Sequence, residues 1–180
     1  AQERYKAQEQ AIKLQPRTQG QTIMNRESVY DQLKIDEGVE YEIYKDHLGY
    51  PTFGVSHLVL KSDYEYGKEV GTPVSVERVR ECLEAALDIA ISECDALYEA
   101  GVFGDLPGEV QEILVNMMFN MGRTRLSRFK KMHAAILEAD WTGAAKEGTD
   151  SLWFRQVTNR ADRLMERLRN VGQDKSKGTT

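Results

Sequence analysis

Between Pro107 and Gly122 the chain reads Gly-Glu-Val-Gln-Glu-Ile-Leu-Val-Asn-Met-Met-Phe-Asn-Met. Val110, Ile113, Leu114, Met117, Met118 and Met121 leave almost no polar side on a helix built from this segment. A helix that is apolar nearly all round is stable in water only when other elements surround it, so the segment predicts the centre of a helical bundle. Pro107 suits the first helical turn and Gly122 the left-handed position that ends a helix. At 180 residues with 41% hydrophobic residues, the chain has enough apolar surface to close such a core in one folded domain.

Shorter amphipathic pieces follow at about 127–138 (Phe129, Met132, Ile136, Leu137), about 140–147 opening at Asp140-Trp141, about 150–156, and about 159–171 (Leu164, Leu168, Val171). Upstream, Ser75 is placed to cap a long helix whose Val76, Val79, Leu83, Ala86, Leu87, Ala90, Cys94 and Leu97 fall on one stripe as far as Gly101. About 24 residues make such a helix about 36 Å long, enough to span a domain. Before it, residues 59–74 form a polar connector, and residues 41–58 alternate through Tyr41, Ile43, Phe53 and Val55 as a hairpin or three-stranded meander does. A first helix is expected from Ser28, a fair N-cap, through Val29, Leu33 and Ile35 to Gly38. The fold class is therefore α+β and mostly helical: a small lobe over about 28–74, a spanning helix over about 75–100 and a helical lobe over about 101–171. Residues 1–27, rich in Gln and charge, are expected to be a linker or flexible segment, and residues 172–180 a flexible tail.

Composition removes several function classes. No window approaches 18 consecutive apolar residues and no apolar stretch follows the N-terminal charges, so neither a membrane span nor a signal peptide is expected. The chain begins at Ala1 without Met, which reads as a fragment or processed piece of a longer protein, although removal of an initiator Met before Ala gives the same start. Cys82 and Cys94 lie twelve apart on one helical stripe, about 18 Å, too far to bridge; they read as buried free thiols. No metal-ligand spacing is present and no cofactor is expected. The net charge of −5 divides into −8 over residues 1–100 and +3 over residues 101–180. The basic runs Arg123, Arg125, Arg128, Lys130, Lys131 and Arg155, Arg160, Arg163, Arg167, Arg169 match no nucleic-acid module, so they read as solvated helix faces, with attraction to a polyanion as the functional alternative.

The chemistry concentrates in two carboxylates. Glu37 of Ile35-Asp36-Glu37-Gly38 closes a helical pattern, and Asp46 of Tyr44-Lys45-Asp46 opens a Gly/Pro-punctuated hairpin, Gly49-Tyr50-Pro51-Thr52-Phe53-Gly54-Val55-Ser56-His57. Two acids from different elements can face each other across a cleft, the arrangement that hydrolysis of a sugar acetal requires. Taken in order with Asn116-Met117-Met118-Phe119-Asn120-Met121-Gly122, Asp140-Trp141, Asp150-Ser151-Leu152-Trp153-Phe154 and Asn159-Arg160-Ala161, these motifs resemble the T-even phage lysozymes, glycoside hydrolase family 24, over about 28–171. Within that family the segments around Gly49 to Thr52 and Asp150 to Trp153 are most similar to the tail-associated cell-puncturing lysozymes.

The resemblance implies a lysozyme-like fold with the site between the lobes, and hydrolysis of the β-1,4 bond between N-acetylmuramic acid and N-acetylglucosamine in peptidoglycan. It implies catalytic roles for Glu37, Asp46 and Thr52. Glu37, shielded by apolar neighbours at a helix end, suits the general acid, whereas Asp46 in a polar turn suits the ionised partner that stabilises the oxocarbenium-like centre or activates water. Thr52 would hold that water by its hydroxyl. The family acts with inversion, which needs about 6.5–9.5 Å between the carboxyls. Arg160 resembles the arginine that reaches the catalytic Glu from the helical lobe, with a surface position on its helix as the plainer reading. His57 resembles the family's structural histidine, whose usual aspartate partner would fall at Ala86, leaving His57 without that ion pair. Ser56 stands where a glycine is usual, and the 59–74 connector is shorter than in familiar members. Phe119 and Asn120 are candidates to line the sugar cleft, while Met117, Met118, Met121, Trp141 and Trp153 read as core. Peptidoglycan is the expected partner, with other tail or baseplate proteins and an inhibitor protein as further ones; nucleic acid and membrane insertion are not expected. The biological readings are a lysozyme domain of a virion tail acting in the host periplasm, a free endolysin held in the host cytoplasm until lysis, and a non-catalytic wall-binding module that kept the fold.

Overall fold

The structure, a computed structural model, describes residues 23–173. The expected linker therefore lies outside the described residues from 1 to 22, and the expected tail does so from 174 onward. Two compact units divide near Ser92.

The first unit, from Arg26 to Ser92, opens with helix α1, Arg26–Glu37, which buries Val29, Tyr30 and Leu33. It starts two residues before Ser28, with Glu27 placed favourably in the first turn. Ile35 is off the buried stripe and 74% exposed, contrary to its expected place among the apolar residues. Gly38, at φ 77°, stops the helix in the left-handed conformation that its sequence position predicts. Strands β1 (Glu40–Lys45), β2 (Pro51–Gly54) and β3 (His57–Leu58) then form an antiparallel sheet in the order β1-β2-β3. Tyr44 pairs with Thr52 and Lys45 with Pro51; on the other side of β2, Thr52 pairs with Leu58 and Phe53 with His57. Helix α2, Val76–Ala96, follows, its first turn capped by Ser75, whose Oγ accepts the Arg78 N–H at 3.1 Å.

Side-chain alternation gives the sheet two distinct faces. Ile43 and Phe53 point into a core with Val74, Val79 and Cys82. Gly54 ends β2 at φ 63°, and a Cβ there would meet Val79 at 3.2 Å, so glycine serves both the backbone twist and the close approach of strand to helix. Tyr44, Asp46 and Thr52 alternate onto the opposite face.

The second unit runs from the last turn of α2 through α3 (Val102–Asp105), α4 (Gly108–Ser127), α5 (Lys130–Leu137), α6 (Trp141–Thr149), α7 (Leu152–Gln156) and α8 (Thr158–Arg169). α4 is the bundle centre its sequence predicts, burying Val110, Ile113, Leu114, Val115, Met117, Met118 and Met121. Pro107 precedes it as the cap residue instead of standing in the first turn. Gly122 breaks α4 instead of ending it: at φ 78° and ψ 168° the backbone leaves helical geometry for one residue and resumes to Ser127. α8 packs on α4, α6 and α7. Asp140 and Ser151 cap α6 and α7, accepting the N–H groups of Gly143 at 2.9 Å and Phe154 at 3.1 Å.

α2 stops at Ala96, short of the expected Gly101, because Leu97 and Tyr98 turn back in tighter i→i−3 bonds to Cys94 and Asp95. Tyr98 then stacks on Phe103 and reaches His133. His133 Nε2 lies 2.8 Å from the Leu126 carbonyl and must donate to it, so Nδ1 is the acceptor and takes the Tyr98 hydroxyl at 2.5 Å. That neutral tautomer agrees with the burial that lowers the His133 pKa. Cys82 and Cys94 are buried and free, and burial pushes the Cys94 thiol up to about 12, which leaves it inert.

Candidate active site

Glu37 stands half-buried at the last position of α1, where Gly38 turns the chain away. Asp46, also half-buried, follows β1 and organises the hairpin. Its N–H donates to the Tyr50 carbonyl at 3.0 Å and its own carbonyl accepts from Gly49 at 2.9 Å. Its Oδ1 accepts the N–H groups of Leu48 and Tyr50, each at 2.9 Å. This is the local side-chain-to-backbone bonding for which Asp is favoured in turns. Both bonds fall on Oδ1, so the turn fixes the carboxylate while Oδ2 carries no bond among the described residues.

Thr52 is 3% exposed and pairs across the ladder with Tyr44. Its Oγ1 donates to the Tyr50 carbonyl at 2.9 Å. The hydroxyl hydrogen is thereby committed, and Oγ1 can only accept from a further partner. One carbonyl, that of Tyr50, thus receives both the Asp46 N–H and the Thr52 hydroxyl. Tyr44, directly opposite Thr52, has its phenol pKa raised by burial and by the carboxylates of Glu40 and Asp46.

Arg160 is not a surface residue on its helix. It is 9% exposed, and its Nε donates to Asn116 Oδ1 at 2.8 Å while a second guanidinium nitrogen lies 3.3 Å from the Asn116 carbonyl. Asn116 is itself 2% exposed on α4, so the guanidinium is held in a fixed orientation. Asn120 accepts the Trp153 indole N–H at 2.8 Å, and Trp153 meets Phe129 edge-on with centroids 6.2 Å apart. Phe119 and Asn120 are half-buried, Trp153 is buried and Trp141 is half-buried. Glu37, Asp46, Thr52 and His57 lie in the first unit; Phe119, Asn120 and Arg160 lie in the second.

His57 has an acidic partner after all. Its Nε2 lies 2.8 Å from Asp63 Oδ2, a residue of the connector and not of the long helix. The same oxygen accepts the Leu60 N–H at 2.8 Å, and Arg78 reaches Asp63 Oδ1 at 3.3 Å while gripping Glu65 with Nε at 2.9 Å and a second nitrogen at 3.0 Å. Burial opposes the Asp63 charge, but the Leu60 N–H, His57 and Arg78 outweigh it and hold its pKa below the usual range. The Arg78 hydrogen bonds lower that of Glu65 against its burial. Sequence reasoning missed Asp63 and Glu65 because loop residues carry no periodicity, and with them their helix partner Arg78; the available signal was an acid six residues beyond His57. Among the described residues no three or more His, Cys, Asp or Glu side chains group to hold a metal ion, and no helix is long and apolar enough to cross a membrane.

A family model described as phage lysozyme matches residues 34–170. The chain is 30% identical over 154 residues to the pre-baseplate central spike protein Gp5 of Enterobacteria phage T4, an alignment covering 76% of this chain and 27% of that protein. It therefore spans about a quarter of the spike protein's length. Two probable T4-type lysozymes of Dictyostelium discoideum are similar over nearly their whole length: 29% and 30% identity over 160 residues, each covering 77% of this chain and 91% of the relative.

Proposed function

The chain belongs to the phage lysozyme family of peptidoglycan hydrolases, and from that premise we propose that it cleaves the β-1,4 bond between N-acetylmuramic acid and N-acetylglucosamine with inversion at the anomeric carbon. The observation that carries this reading is the hairpin in which one carbonyl orders both an acid and a hydroxyl. Because the Thr52 hydrogen is given to the Tyr50 carbonyl, Oγ1 accepts a hydrogen from a bound water. The water's lone pair is then free for attack. Asp46, held by its Oδ1, presents Oδ2 to take the water's second hydrogen or to face the developing positive charge. Glu37 supplies the proton to the leaving oxygen. Within the second unit the proposed roles are orientation for Arg160 and sugar binding for Phe119 and Asn120; within the first, His57 supports the strand that carries Thr52.

In its biological setting, the chain acts as the lysozyme part of a tail or baseplate protein that opens the wall from the periplasmic side. Similarity to a spike protein supports this reading, together with an acidic composition suited to delivered rather than freely diffusing action. A free lysozyme is the second reading, favoured by the match to 91% of each Dictyostelium relative. Other baseplate proteins and an inhibitor that covers the site before delivery are the protein partners the tail reading calls for.

The decisive measurement is turbidity loss of outer-membrane-permeabilised Gram-negative cells by the purified chain beside Glu37→Gln. Clearing by the wild type with a loss of at least about 100-fold in the variant is expected for removal of a general acid. Equal clearing by both, or by neither, overturns the enzyme reading and leaves the wall-binding one.

A further inference from the structure

Beyond the outer edge of the sheet, residues 72–74 pair with β1 on the side away from β2. Ile43 donates to the Thr72 carbonyl at 2.9 Å, Val74 to the Tyr41 carbonyl at 2.8 Å, and Glu42 bridges Pro73. Between this edge, the connector and the first turns of α2 lies an open groove of about 500 Å³, lined by Ser62, Tyr64, Glu65, Lys68, Thr72 and Arg78 among others. It is separated from Thr52 by the whole of β1, about 10 Å at the usual strand spacing.

Three features of this groove belong together. Tyr64 is 79% exposed and offers its ring to the groove. Lys68 stands 3.5 Å from the centroid of that ring and has no ion pair among the described residues. The floor of the groove is cross-linked, since Glu65 is 5% exposed and held by Nε and one terminal nitrogen of Arg78, which also ties Asp63 and pairs with Glu81. A preorganised floor costs little further order on binding. An aromatic ring set among hydroxyls, with a lysine beside it that no carboxylate engages among the described residues, matches a sugar ring with apolar C–H faces and hydroxyl edges whose peptide substituent carries carboxylates. An enclosed apolar ligand would need a deeper and drier site.

We propose that this groove is a second glycan-binding site, taking a saccharide of a peptidoglycan strand against Tyr64 with its carboxylate-bearing substituent toward Lys68. The inference rests on the hydrolase reading for the identity of its ligand. A polymeric substrate is held at two points of one unit, and the second contact raises the local concentration of scissile bonds without touching the reaction.

Tyr64→Ala and, separately, Lys68→Ala test it, both at exposed positions that leave the core intact. The two readouts are co-sedimentation with insoluble peptidoglycan sacculi and initial rates on sacculi against a soluble fragment of two disaccharide units. The expected result is a loss of about three- to tenfold in retention and in sacculus rate, with the soluble rate within about twofold of wild type. Unchanged retention, or equal losses on both substrates, overturns the second site. If the wild type cleaves neither substrate the hydrolase reading falls, while retention still decides whether Tyr64 and Lys68 bind the wall.

Discussion

At the residue scale, the site depends on which way one hydroxyl points. Thr52 donates inward to the Tyr50 carbonyl, so its value to the proposed reaction is as an acceptor that aims a water. Thr52→Val keeps the shape and the β-branch that suits a strand but removes Oγ1, and kcat is expected to fall about 100-fold or more with KM nearly unchanged. Thr52→Ser restores the hydroxyl and should recover activity to within about tenfold. Proton NMR of the first product adds the stereochemical check: wild type should release the α-anomer from the β-linked substrate, and a β-anomer would remove Thr52 and its water from the mechanism. The local placement of Glu37, Asp46 and Thr52 was legible in the sequence, because a helix-ending glycine and a Gly/Pro-rich turn locate them without tertiary information; the roles proposed for them come from the family resemblance. The commitment of the Thr52 hydrogen was not legible, since it depends on the Tyr50 carbonyl turning inward.

At the scale of elements, the unexpected feature is how the connector is anchored. Ala86 stands on the long helix where the family resemblance implies an aspartate, yet the connector folds back and supplies Asp63, with Arg78 of α2 joining it to Glu65. Helix stripes were readable because Leu83, Leu87 and Ala90 repeat at helical spacing; a loop acid meeting a strand histidine obeys no such period. Helix ends were less readable for the same reason, as Tyr98 leaves α2 to meet Phe103 and His133, contacts that no local pattern encodes. The ion cluster has a definite pH signature. The folded pKa values of Asp63 and Glu65 are both depressed, so the cluster's stabilisation is present above their unfolded values, about 4, and is lost as pH falls through the lower folded values. Asp63→Asn should therefore destabilise the chain by about 1–3 kcal/mol near neutral pH. The difference in urea midpoint from wild type should narrow steadily below about pH 4. A gap that persists unchanged to pH 2.5 would mean that packing, not charge, makes the contribution.

At the scale of the whole molecule, charge sets how the chain meets its substrate. Net charge is −5, divided into −8 over residues 1–100 and +3 over residues 101–180. The α+β class and the all-round apolar helix at the bundle centre were legible from pattern alone, because burial of α4 follows directly from its composition. The division of the chain within α2 was not, since a continuous helical stripe gives no sign of where one compact unit yields to the next. An acidic enzyme on an anionic wall is repelled over the Debye length, about 30 Å at 0.01 M salt and about 8 Å at 0.15 M. For the isolated chain, the rate on sacculi should thus rise severalfold between those two salt concentrations, the reverse of a basic enzyme that relies on electrostatic capture. A monotonic fall with salt would mean instead that the +3 half governs encounter, which favours the free-lysozyme reading. A tail-borne enzyme is placed on the wall by the particle and loses nothing by this repulsion, because tethering replaces long-range attraction with local concentration. The salt profile therefore bears on delivery as well as on chemistry, and detection of the chain by mass spectrometry in purified phage tails, with its absence from the soluble lysate, is the matching observation that the tail reading requires.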